Sequence, residues 1–108
     1  MNFSEYQEMT RRTAGEFNSE SEELIAWSMG IGGEAGEIVE YVKKVVFHGH
    51  KLDTEKLMFE IGDELYYLAR LADLLGFSLE YVANENIEKL RSRYPYGFST
   101  EASRNRAE

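Results

Sequence analysis

Apolar residues recur in this chain at the period of an α-helix, and that spacing limits the folds open to it. At about 100° per residue, Leu24, Trp27, Ile31, Ile38, Val42 and Val45 fall on one helical stripe. Leu57, Ile61, Leu65, Leu68, Ala72 and Leu75 form a second. The sequence has no alternating strand pattern and no internal repeat. It reads as all-α: four main helices, with the two striped ones packed as a central antiparallel hairpin joined across residues 49–53. The 108 residues suffice for a single domain, residues 1–108, ending in a polar tail at about 96–108.

Capping residues divide the chain. Ser4 with Gln7, and Ser19 with Glu22, fit capping boxes for a first helix to about Ala14 and a second to about Phe47, closed by Gly49. Asp53 or Thr54 starts a third helix that stops at Gly76. Ser78 starts a fourth that ends before Pro95, and a short helical turn is expected in residues 100–106. Gly30, Gly32, Gly33 and Gly36 crowd the second helix, each weakening it by roughly 1 kcal/mol relative to Ala. Either the helix breaks there, or a neighbouring helix or ligand approaches its backbone closely. The third helix carries only Arg70 and Asp73 as charges from Leu65 to Leu75. That apolar arc is too wide for one neighbour, so it reads as a central helix that also packs on a second subunit.

Charge excludes several functions. Lys plus Arg number 12 and Asp plus Glu 20, giving a net charge of -8. Such a surface repels nucleic acid and, without cations, nucleotides. With 0 Cys there is neither a thiol nucleophile nor a disulfide scaffold. No run approaches transmembrane length and no signal-like segment opens the sequence, so a cytoplasmic protein without a membrane partner is expected.

The carboxylates carry the chemistry. Glu34 with Glu37, and Glu60 with Asp63, are spaced i, i+3 and project from roughly one side of their helices. Spacing alone is weak, because 5/8, 20/23, 37/40 and 85/88 share it. Position distinguishes the first two pairs: Glu34 lies within the apolar stripe, Glu37 on its flank, and Glu60 and Asp63 beside the second stripe. Packed together, four carboxylates must protonate or gain cations, and oxygen ligands suit Mg²⁺ or Mn²⁺. The alternative is a solvated flank paired with Lys43, Lys44 or Lys56. His48 and His50 suit a helix C-terminal charge complement or a phosphate-facing loop better than a metal site. Asn86, Lys89 and Arg93 share a basic helix end fitted either to the helix dipole or to a polyphosphate, and Ser103 and Arg106 add a hydroxyl and a guanidinium. Tyr6, Gln7 and Trp27 are the candidates to meet a base, against ordinary packing.

The ordered set Gly33-Glu34-Ala35-Gly36-Glu37, Lys43-Lys44, His48-Gly49-His50 and Glu60-Ile61-Gly62-Asp63 resembles the MazG-like nucleoside triphosphate pyrophosphohydrolases. So do Asn86-x-x-Lys89-Leu90-x-x-Arg93-Tyr94-Pro95-x-Gly97-Phe98 and Ser103-x-x-Arg106. The resemblance runs from about Tyr6 to Arg106. It implies hydrolysis of a nucleoside triphosphate to monophosphate and pyrophosphate by an oligomeric helical bundle, a homodimer or homotetramer. It further implies Mg²⁺ on Glu34, Glu37, Glu60 and Asp63; Glu37, which flanks the apolar stripe rather than facing it, is the candidate base. Asn86, Lys89, Arg93, Ser103 and Arg106 would contact phosphate. Related all-α enzymes acting on phosphoribosyl-ATP, dUTP or dCTP share the motif, and a non-catalytic helical assembly module is the reading of another class. Glu64 stands where similar sequences carry an apolar residue. It is either an extra carboxylate behind the ligands or a partner for a basic residue across an interface.

Overall fold

The computed structural model describes residues 1–105. Its helices are α1 (Phe3–Thr10), α2 (Glu20–His48), α3 (Thr54–Leu74), α4 (Leu79–Arg93) and α5 (Thr100–Arg104), with a 3₁₀ turn at Arg11–Thr13. The fold is all-α, with no strand among the described residues. The expected hairpin of α2 and α3 is its largest helix pairing, and α1 packs on α3 and α4. No described helix is long and apolar enough to cross a membrane.

Capping chemistry sets most boundaries. Ser19 Oγ accepts from Glu22 N, Asp53 Oδ1 from Glu55 N and Lys56 N, and Ser78 Oγ from Tyr81 N. Gly49 ends α2 in the left-handed conformation at φ 71°, where a Cβ would be strained. Two expectations need correction. α1 is capped by Asn2, not Ser4: Asn2 Oδ1 accepts from Glu5 N at 2.8 Å, and the Glu5 carboxylate accepts from Asn2 N. The helix also ends at Thr10, where the 3₁₀ turn takes over. Gln7 is thereby released from capping. It is buried, and its Nε2 donates to Phe77 O at 2.9 Å while its Oε1 accepts from Leu79 N at 3.0 Å. One side chain thus ties α1 to the turn between α3 and α4.

The glycines do not break α2, which is continuous. At Gly30 the reason is close approach: a Cβ there would stand 2.4 Å from the Tyr67 ring of α3. Around this contact the Trp27 ring meets Phe17 edge-on at 5.3 Å and Tyr66 and Tyr67 at 6.2 Å. Gly32, Gly33 and Gly36 face open space.

The stripes divide between two faces. Trp27 and Ala72 are buried and Leu57 and Leu65 half-buried, whereas Leu24, Val42, Ile61, Leu68 and Leu75 are exposed. Single neighbours cover only part of each apolar arc, as the width of the α3 arc requires. The enclosed core is small: among the described residues, Trp27, Ala69, Ala72 and Leu79 are the buried apolar ones.

Gly30→Ala forces the Tyr67 ring to move, and overpacking of this kind costs about 1–3 kcal/mol. Denaturant unfolding should show that loss, whereas Gly32→Ala, which meets no neighbour, should leave stability unchanged or raised. Equal midpoints for the wild type and Gly30→Ala would remove the Gly30–Tyr67 contact from the packing of the hairpin.

Candidate metal centre

The two central helices bring three carboxylates to one point. Glu34 and Glu37 are one turn apart on α2, and Glu60 faces them from α3. Each offers an oxygen, and the three oxygens lie within 4.8 Å of one another. Glu34 and Glu60 are half-buried and Glu37 is exposed. Glu34 Oε2 and Glu60 Oε2 are buried without a hydrogen-bond partner. Such oxygens are expensive to leave unsatisfied.

Electrostatics registers the crowding. Burial, the adjoining Glu60 carboxyl, and the charges of Glu37, Asp63 and Glu60 push Glu34 up to about 7 from an ordinary value of 4.5. A divalent cation would relieve this strain and supply partners for the orphaned oxygens. The donors are all hard carboxylate oxygens, a set suited to Mg²⁺ or Mn²⁺ and not to soft metals. The residues therefore fit such an ion. Asp63 is exposed and stands at the edge, outside the compact trio but close enough to raise Glu34 by its charge.

Two cavities flank these acids. One, of about 520 Å³, is lined by Tyr6, Thr13, Glu34, Gly62, Asp63, Tyr66 and Tyr67. Thr13 Oγ1 donates to Tyr66 Oη at 2.9 Å, and burial followed by the Asp63 charge raises the Tyr6 phenol. The other, of about 340 Å³, is lined by Glu37, Glu40, Tyr41, Lys44, His50, Lys56 and Glu60.

The remaining expected residues are placed less uniformly. Tyr6 reaches the first cavity, but Gln7 is occupied by the α3–α4 turn. Trp27 is buried in the aromatic cluster, with Nε1 donating to Glu23 at 3.0 Å. Asn86 and Lys89 are exposed on α4, while Arg93 and Ser103 are half-buried. Neither cavity is lined by any of these four. Arg106 lies outside the described residues. Glu64 is half-buried with Oε1 lacking a hydrogen-bond partner. Tyr66, Thr13 and Tyr41 escaped the sequence reading: Thr13 meets Tyr66 from 53 positions away, and Tyr41 bonds Lys51 and Asp53 across the connection between α2 and α3.

Residues 19–98 match the model of the MazG nucleotide pyrophosphohydrolase domain. The chain belongs to the MazG nucleotide pyrophosphohydrolase family. A relative, the Gene 37 protein of Mycobacterium phage L5, is 37% identical over 83 residues, covering 73% of each chain. No solved structure matches. Every member of the acid trio, and Asp63, lies inside the stretch matched to the MazG family.

A raised carboxyl gives a pH dependence of definite sign. Between 4.5 and about 7 the folded protein holds a proton on Glu34 that the unfolded chain has lost, so stability falls as pH rises through that window. Glu34→Gln should flatten this slope and stabilise the metal-free protein above pH 7. Mg²⁺ should raise the melting temperature of the wild type more at pH 8 than at pH 5.5, because it competes with that proton. Melting curves over pH, with and without Mg²⁺, test both; a Glu34→Gln protein with an unchanged pH slope would place the strain elsewhere.

Proposed function

We propose that this chain is a Mg²⁺-dependent hydrolase of nucleoside triphosphates, NTPs or dNTPs, releasing nucleoside monophosphate and pyrophosphate. The observation that carries the proposal is the carboxylate trio with two oxygens lacking any protein partner, within a domain of this family. A triphosphate carries about four negative charges and the protein is itself at -8, so a cation must stand between them.

In our reading Glu34, Glu37 and Glu60 hold the metal, with Asp63 joining from the edge. When bound, Mg²⁺ supplies charge neutralisation at the phosphates and a lowered pKa for water. Water attacks the α-phosphorus, the bond from that phosphorus to the bridging oxygen breaks, and pyrophosphate leaves. The water's proton passes to a base, and Glu37 is our candidate because it is the member of the trio open to solvent. Tyr6 stands beside Asp63 in the larger cavity, where a nucleoside would extend from the α-phosphate.

We also propose a homo-oligomer, dimer or tetramer. Its support is the apolar surface left exposed on α2 and α3, including Met29, Val39, Val46, Phe59 and Ile61. Asn86, Lys89, Arg93 and Ser103 line neither cavity within one chain, and we propose that they contact the phosphates from a second copy. The exposed face of α3 equally suits a purely structural assembly, and that reading predicts no turnover.

Product analysis decides. Incubated with Mg²⁺ and a panel of NTPs and dNTPs, the protein should yield monophosphate and pyrophosphate. Glu60→Gln and Glu37→Gln should each lower kcat by roughly 10²–10⁴-fold. Diphosphate and phosphate as products, or full activity in Glu60→Gln, would refute the assignment.

A further inference from the structure

α2 is apolar on two opposite sides, and its own chain covers only one of them. Trp27 and Gly30 turn toward α3, where both meet Tyr67. About half a turn round the helix, Ile25, Met29, Val39, Val46 and Phe47 are all exposed, Met29 at 71% and Phe47 at 78%. This outer side runs most of the length of a 29-residue helix, about 43 Å long. A surface helix with one neighbour keeps its outer side polar; apolar residues on opposite sides mark a helix packed between two neighbours.

Two glycines sit in the middle of the outer side. Among the described residues, a Cβ at Gly32 or Gly36 would meet nothing within 4 Å. Each weakens α2 by roughly 1 kcal/mol relative to Ala, and no contact within the chain accounts for them as Tyr67 accounts for Gly30. Bare backbone between apolar side chains lets another helix approach closely.

The pattern is its own complement. Met29, Gly32, Gly36 and Val39 read as apolar, small, small, apolar from either end, and they centre on residue 34, the midpoint of Glu20–His48. The charges are reversed end for end. Glu20, Glu22 and Glu23 stand in the first turn, and Lys43, Lys44 and His48 near the last. Lys43 holds Glu40 at 3.2 Å and still keeps its side chain half exposed. Antiparallel pairing of two such helices sets each acidic end beside a basic end and opposes the helix dipoles; parallel pairing sets acid against acid. A face that matches itself in this way fits a two-fold contact between identical chains.

We propose that the outer side of α2 packs on the same side of a second copy, antiparallel, about a two-fold axis between Gly32 and Gly36. Met29 of each copy then faces Val39 of the other, and Glu22 comes beside the Lys43 end. Glu34 and Glu60 meet on the inner side, so this contact leaves the metal centre untouched. It gives the homo-oligomer one defined interface, and it stands whether or not the chain hydrolyses nucleotides.

Sedimentation equilibrium of the full chain at micromolar concentration tests it. Gly32→Leu fills the crossing point yet meets nothing in its own chain, and it replaces a poor helix former with a good one. Val39→Glu places a charge in the apolar contact and serves if Gly32→Leu does not fold. Both should keep wild-type helicity and sediment at half the wild-type mass, with association at least tenfold weaker. Lys43→Arg should sediment as the wild type. Because the sequence has 0 Cys, Ser21→Cys accepts a single spin label per chain. Antiparallel pairing centred on residue 34 sets the two labels about 40 Å apart, at about 1.5 Å per residue. A monomeric wild type, wild-type mass in the Gly32→Leu and Val39→Glu proteins, or labels only about 10 Å apart, as parallel helices would place them, overturns the proposal.

Discussion

Two helices hold three carboxylates with oxygens within 4.8 Å, and the rest of the molecule is arranged to tolerate that repulsion. Left alone, like charges at this range separate or protonate. Separation is resisted because α2 and α3 pack along much of their length, with Gly30 letting the Tyr67 ring reach the α2 backbone about one turn before Glu34. A residue with a Cβ at position 30 would push the helices apart at the level where Glu34 and Glu60 must meet. What remains is protonation or a cation, and the rise of Glu34 to about 7 records that choice in the metal-free chain.

The outer helices brace this frame instead of supplying ligands. Gln7 fastens α1 to the α3–α4 turn through two backbone hydrogen bonds. Buried Arg70 donates through Nε to Thr10 Oγ1 at 3.1 Å and through Nη2 to Asp73 Oδ2 at 2.5 Å. Asp73 also accepts from Arg11, and that bond, more than the Arg70 charge, holds its carboxyl below the ordinary range. These contacts fix α1 on α3 and so carry Tyr6 to the cavity beside Asp63. Loss of that bracing would reach the site by displacing the Tyr6 wall rather than the metal ligands.

Much of this was legible in the sequence because it depends on local rules. Ser19, Asp53, Ser78 and Gly49 mark helix ends by their own hydrogen bonds and backbone freedom, and the shared side of Glu34 and Glu37, and of Glu60 and Asp63, follows from helical period. What was hidden depends on contacts far along the chain. Ser4 and Gln7 satisfy the spacing of a capping box as well as Asn2 and Glu5 do, and only the burial of Gln7 against Phe77 and Leu79 separates them. The Gly30 approach is specified by Tyr67, 37 positions away. Likewise, the stripes gave the apolar residues correctly but not which face each one takes, since Leu68 and Leu75 are as apolar as Leu65.

The central claim is that Glu34, Glu37 and Glu60 together bind a divalent cation. Its most direct test is the anomalous scattering of Mn²⁺ in crystals of the protein. A single strong site, or a close pair of sites, about 2.0–2.2 Å from carboxylate oxygens of all three residues is the expected result. Manganese bound elsewhere, with the trio protonated or paired to lysine, would contradict the account.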